Sequence, residues 1–206
     1  MQTISVNIFK YNELSEKAKE KARQWWRDCN YSDDFWSECV IDDAKEIGKR
    51  LGFDINKVYY SGFCSQGDGA CFEGVFRTSD FKKQLQNGGI RAYAPQDKEL
   101  HRISNEIEKI ANEFFSVYLK VRHSGRYYHE NCTEFKVSII DNEDNEINTE
   151  EAAEAEKYLI ELSRDLMLWI YCALEKEYEY QNADEQIAEN IVANNYDFTE
   201  EGEIWH

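Results

Sequence analysis

The sequence predicts an α+β fold: a mostly antiparallel sheet built from two β-hairpins plus an N-terminal strand, covered by several helices that include a long acidic C-terminal one. Three observations point to it. Apolar residues alternate with period two in two separate pairs of runs, near 54–77 and 115–139. Around these pairs the apolar spacing is helical. Strands clustered in hairpins, with helices between the clusters, are the pattern of segregated rather than alternating elements.

Taken in order, Ile4, Val6 and Ile8 alternate with polar residues and predict a half-buried strand. Asn12 is placed to cap a helix whose stripe is Leu14, Ala18, Ala22, Trp25 and Cys29. Trp36, Val40, Ala44, Ile47 and Leu51 predict a second helix, stopped by Gly52. Residues 54–63 and 70–77 read as strands around the turn Cys64-Ser-Gln-Gly-Asp-Gly69. Residues 78–95 contain Gly88-Gly89 and the single proline, and read as loop with at most one helical turn. Leu100, Ile103, Ile107, Ile110 and Phe114 form a helical stripe that leads into the alternation Phe115, Val117, Leu119, Val121. A turn at 124–131 leads to Phe135, Val137 and Ile139, the facing strand. Thr149 or Asn148 then caps a long helix with the stripe Ala155, Leu159, Leu162, Leu166, Trp169 and Ala173. That stripe suits a homodimer face as readily as a cover for the chain's own sheet. Ile187 and Ile191 mark a short final helix, and Tyr196-Asp197-Phe198 an edge strand. No linker interrupts the pattern, so residues 1–206 are expected to form a single α+β domain.

A chain of 206 residues buries roughly 70% of its unfolded surface as one domain, and ten Gly with one Pro argue against a low-complexity or disordered chain. No apolar run reaches the roughly 20 residues of a membrane span. The start, Met1-Gln-Thr-Ile-Ser-Val, lacks the basic end and apolar stretch of a signal peptide. Six cysteines without a C-x-x-C pair read as reduced thiols, and the expected location is the cytoplasm, with no membrane partner.

Net charge is −17, and its distribution is uneven. Residues 141–206 hold 20 Asp and Glu against Lys157, Arg164 and Lys176, so the whole excess sits in the last third. Such a field repels nucleic acid and attracts basic protein surfaces. It reads either as a solvated helix face or as an array that imitates nucleic-acid phosphates and occupies a basic, nucleic-acid-binding protein. On the second reading the contacts are Glu150, Glu154, Glu161, Glu175 and Glu179, and no direct nucleic-acid contact is expected.

The two turns are the other candidate site. In the first, Tyr60, Ser61, Ser65, Gln66 and Asp68 mix ring faces with hydrogen-bonding groups, and Gly67 and Gly69 permit close approach. A tight turn whose Asp bonds its own backbone is the plain structural alternative. In the second, Arg126 with Tyr127 and Tyr128 suits an anionic ring-bearing ligand, and His129 beside Glu130 suits proton transfer. His123 continues the apolar alternation and reads as a core-rim histidine. Ser61-Gly62 before Cys71-Phe-Glu73 is echoed by Ser124-Gly125 before Cys132-Thr-Glu134, which would set the turns side by side if the echo is a repeat. Two further chemistries use the same residues: a zinc set of His123, His129 and Cys132 with Cys64 or Cys71, and a thiol–imidazole pair of Cys64 or Cys71 with His123. The spacing matches no strong zinc pattern, and Ser-Gln-Gly-Asp-Gly fits no phosphate-loop or nucleophile-elbow spacing. No metal and no cofactor is therefore expected.

The block Tyr60-Ser-Gly-Phe-Cys-Ser-Gln-Gly-Asp-Gly-Ala-Cys-Phe72 resembles one found in an uncharacterised family of acidic proteins common in bacteriophage genomes, sometimes labelled antitoxin-like. The resemblance extends through Glu13–Ala22, Ala94–His101 and His123–His129. It implies a phage origin and carries no site residue with it. Together these readings predict a non-enzymatic inhibitor that occludes a basic host or defence protein, with a nucleotide-like ligand in the turns as the alternative.

Overall fold

The computed structural model describes residues 7–30 and 35–205. The element order is β1 (Phe9–Lys10), a 3-10 turn (Tyr11–Glu13), α1 (Glu16–Asn30), α2 (Phe35–Arg50), β2 (Phe53–Tyr60), β3 (Ala70–Arg77), α3 (Thr78–Gln86), α4 (Gly89–Tyr93), α5 (Lys98–Glu113), β4 (Ser116–His123), β5 (Thr133–Ile140), α6 (Glu150–Asn182), α7 (Asp184–Ala193), β6 (Asp197–Phe198) and β7 (Ile204–Trp205). The fold is α+β. It gathers into two compact units, one of residues 39–175 and one from the two chain ends, 1–38 and 176–206.

The sheet unit carries four antiparallel strands in the order β2-β3-β4-β5. Alternation puts Phe53, Ile55 and Val58, then Phe72 and Phe76, then Val117, Leu119 and Val121 on a buried face. Helix α5 presents Leu100, Ile103, Ile107 and Ile110, and α6 presents Leu159, Leu162, Leu166 and Ile170, all buried. Arg164 of α6 lies over the ring of Phe135 on β5, 5.3 Å from its centroid. Asp97 caps α5 by accepting from the amides of Glu99 and Leu100, and its second oxygen accepts from the indole of Trp169 at 2.8 Å. One carboxylate thus starts α5 and ties it to α6.

β3 and β4 pair only over Gly74–Arg77 and Tyr118–Val121. At one end of this seam the chain leaves β3 for α3, and the buried Thr78 hydroxyl completes the ladder. It accepts from the amide of Val117 at 2.6 Å and donates to the carbonyl of Val117 at 2.9 Å. Thr78→Val keeps the shape and strands both buried backbone groups, so unfolding free energy is expected to fall by about 2–4 kcal/mol. A denaturant midpoint equal to wild type would refute this.

Several expectations change. Residues 78–93 are largely helical rather than loop, forming α3 and α4. Phe115 precedes β4 and is 64% exposed, because the buried ring there is Phe114. Ile4 and Val6 lie outside the described residues; Ile8 is exposed, and the first strand is the two-residue β1. That strand belongs to a second sheet, ordered β1-β6-β7, in which β6 is central rather than an edge. Leu159, Leu162 and Leu166 have no exposed surface in the single chain, so these three residues cover its own core.

In the terminal unit, Ser15 rather than Asn12 caps α1, accepting from the Ala18 amide. Tyr11, Leu14, Ala18 and Ala22 pack with Ile187 and Ile191 of α7 and Phe198 of β6. Trp25 meets Tyr196 edge-on at 5.2 Å. Lys10 and Asp197, paired across β1 and β6, form a 2.7 Å ion pair. The β6–β7 turn is closed by the Gly202 amide donating to Thr199, with Gly202 at φ 81° against α1. Among the described residues, no helix is long and apolar enough to cross a membrane.

Candidate functional site

Both hairpin turns lie at the same end of the four-stranded sheet, because β3 and β4 are antiparallel neighbours. The loops have equal length: the Ser61 amide donates to Gly69 O and the Ser124 amide to Cys132 O. The echo stops there. Cys132 faces Ser124 in the closing bond, whereas Cys71 lies two residues beyond Gly69, opposite Tyr59.

The turns touch. A Cβ on Gly69 would sit 2.9 Å from His129 Cα, and one on Gly67 would sit 3.6 Å from the Tyr127 ring. Gly69 is glycine because a second backbone occupies the space a methyl would need. Behind this contact, Tyr59 stacks on Tyr128 with centroids 5.3 Å apart, and His123 lies 4.9 Å from Tyr59 and 5.3 Å from Tyr128. These rings spend their faces on one another. Glu73 ties the group together: one oxygen accepts from the Tyr59 hydroxyl and the other from the His123 amide, both at 3.2 Å. Its carboxylate takes over where the β3–β4 ladder ends.

The individual candidates fall into place accordingly. Asp68 accepts from the amides of Cys64 and Ser65, so it builds its own turn. Ser61 Oγ accepts from the Gly69 amide, another turn-closing bond. His123 Nε2 lies 3.0 Å from the Tyr127 carbonyl, and His129 Nδ1 lies 3.0 Å from the Glu130 carboxylate. Tyr60 stacks with Phe63, which packs on Tyr171 of α6, and the Tyr171 hydroxyl donates to Gly62 O. Ser65, Gln66 and Arg126 are exposed. Cys71 is buried, and burial, reinforced by the nearby Cys132, Glu73 and Glu130, pushes its thiol up to about 12. A thiol held so high stays protonated at neutral pH, which removes Cys71 from the nucleophile pairing with His123. Among the described residues no three His, Cys, Asp or Glu groups come together as metal ligands would, so the zinc set is not assembled.

From the sequence Tyr59 reads as a ring open to a ligand, whereas it stacks on Tyr128, and Glu73 was missed as the link between the turns. The signal available was an acidic residue in a strand that otherwise reads Ala-Cys-Phe-x-Gly-Val-Phe.

The acidic candidates sit on α6. At 3.6 residues per turn, Glu150, Glu154, Glu161 and Glu175 fall within an arc of about 60°, opposite Leu159, Leu166 and Ile170. They span roughly 38 Å of helix at 1.5 Å per residue. Glu150, Glu154 and Glu161 are exposed, Glu175 is half-buried, and none makes an ion pair among the described residues. Lys157 is a cation on the same line. Glu179, exposed on the last turns of α6, belongs to the terminal unit.

A family model described as a domain of unknown function (DUF8835) matches residues 36–184, a span that contains the whole sheet unit with both turns and the acidic line. No curated protein and no solved structure matches.

Proposed function

We propose that this chain, which belongs to the DUF8835 family, is a phage-encoded inhibitor that works in the host cytoplasm by occupying a basic, nucleic-acid-handling host or defence protein. The mechanism is steric and electrostatic occlusion, with no chemical step. The observation that carries it is the line of glutamates on α6 that make no ion pair among the described residues. Within a chain of net charge −17, unneutralised carboxylates on a helix fixed to the core offer a cationic groove a rigid array of acceptors. The phage resemblance supports the inhibitor role.

The test is capture of basic host proteins at low salt. Replacing Glu150, Glu154, Glu161, Glu175 and Glu179 by Lys is expected to weaken binding by about a hundredfold or more, while a surface change of this kind leaves the helix folded. Lys157→Glu should tighten the same complex. Binding indifferent to both changes would defeat the occlusion reading.

A second reading, a nucleotide-like ligand held by the turns, is favoured by their convergence. With the rings stacked and Asp68 engaged, Gln66, Ser65 and Arg126 are the polar candidates whose side chains face solvent without a hydrogen bond among the described residues. Gln66→Ala and Arg126→Ala would therefore report on a ligand, whereas Asp68→Ala would report on the turn.

A further inference from the structure

The face of the four-stranded sheet opposite α5 and α6 is not covered by either helix. Lys120 and Arg122 of β4 and Lys136 of β5 all project from exposed positions there, and Lys120 lies directly across from Lys136 in register. Like charges directly opposite on a sheet destabilise it. None of the three makes an ion pair or hydrogen bond among the described residues.

Carboxylates share this face but none pairs with these cations among the described residues: Asp54 of β2 stands two strands from Lys120, across Val75 of β3. Glu134 stands opposite Arg122 in register, yet accepts from the Ser124 hydroxyl at 2.8 Å. Glu73 spends both oxygens on Tyr59 and His123. A chain with 41 acidic residues against 24 basic ones thus leaves a cluster of cations unneutralised on one open face. At its edge Tyr118 is partly exposed, with the Arg77 guanidinium 5.8 Å from its ring centroid.

We infer that this open face binds the phosphodiester backbone of a single-stranded nucleic acid, with Lys120, Arg122 and Lys136 on the phosphates and Tyr118 offering a stacking ring. Lys120 and Arg122 stand two residues apart on one strand, roughly 6.8 Å, with Lys136 beside them across the ladder. A row of cations with a ring at its end is the arrangement that tracks a flexible strand without reading its sequence. The net charge argues against nucleic-acid contact only at long range. The acidic line of α6 lies beyond a sheet–helix layer roughly 10 Å thick and the helix itself, farther than the Debye length of about 8 Å at physiological salt. Local cations therefore decide the contact in physiological salt, and the whole-chain charge decides it in very dilute salt. This inference stands independently of the occlusion reading, since it uses none of the glutamates on α6.

The experiment is fluorescence anisotropy with short labelled oligothymidylate and oligouridylate against the full chain. Affinity is expected to rise as salt is lowered, then pass a maximum and fall as the −17 field becomes unscreened. The double variant Lys120→Gln, Lys136→Gln should lose about tenfold or more in affinity and flatten the salt slope by about two. Its Tm should be unchanged or raised, since a like-charge pair is gone; Lys82→Gln, on α3, should bind as wild type. Equal binding by the double variant and the Lys82→Gln control would overturn the inference. So would displacement of the oligonucleotide by polyglutamate at equal charge concentration, because an acidic polypeptide would then be the occupant.

Discussion

Gly74→Ala is expected to cost the sheet unit about 3 kcal/mol or more, the upper end of what overpacking a core does. A Cβ at this position would sit 2.3 Å from the Asp54 carbonyl oxygen and 3.1 Å from Ile55 Cα. Both are backbone atoms, so no side chain can swing away. The constraint comes from β2, where a bulge between Ile55 and Lys57 draws that strand toward β3. Gly74 also pairs with Val121, which places it on the seam between the hairpins. Relief in one direction therefore strains the other. Gly62→Ala is the control: its φ is ordinary and its nearest neighbour is Asp68 Oδ2 at 3.4 Å. Thermal melts of both variants separate the cases, and a Gly74→Ala protein that melts with wild type would mean the bulge is misplaced.

Gly202→Ala should remove about 3 kcal/mol from the terminal unit. Its φ of +81° disfavours any side chain, and a Cβ would lie 2.1 Å from the Ala18 carbonyl oxygen on α1. Four of the five tryptophans, Trp25, Trp26, Trp36 and Trp205, are in this unit and one, Trp169, in the other. Fluorescence should thus lose its cooperative transition at lower denaturant in the variant, while amide protection at Leu119 and Val121 persists. If both signals shift by the same amount, the units do not unfold separately.

Much of this architecture is legible in the sequence, and the gaps have physical causes. Period two marks β2 to β5 because each strand buries one face. Helical stripes mark α1, α2, α5, α6 and α7. Helix α3 is hard to see because only Phe81 and Leu85 show its spacing, and Gly88-Gly89 reads as a break. Both glycines take positive φ, ending α3 and opening α4. Two-residue strands such as β1 are too short to carry any period. The division into units leaves no compositional trace because its boundaries fall inside α2 and α6, which continue through them without a linker. The site divides in the same way. The residues of each turn can be read locally, but their convergence depends on the seam between Arg77 and Ser116, two strands separated by three helices. The commitments of Glu73 and Glu134, which leave Lys120, Arg122 and Lys136 without an ion pair among the described residues, are set by that packing and not by spacing.

The terminal unit is assembled from the first and last stretches of the chain, and a ribosome delivers them far apart in time. The apolar stripe of α1, from Leu14 to Trp25, emerges early, while Ile187, Ile191 and Phe198, the residues it packs against, come near the end. At about 5–20 residues per second that interval is on the order of ten to thirty seconds. The sheet unit, contiguous from residue 39 to 175, completes its own synthesis within it. The apolar stripe of α1 therefore spends that interval without the α7 and β6 residues that bury it, and is exposed to other apolar partners until Phe198 has been made.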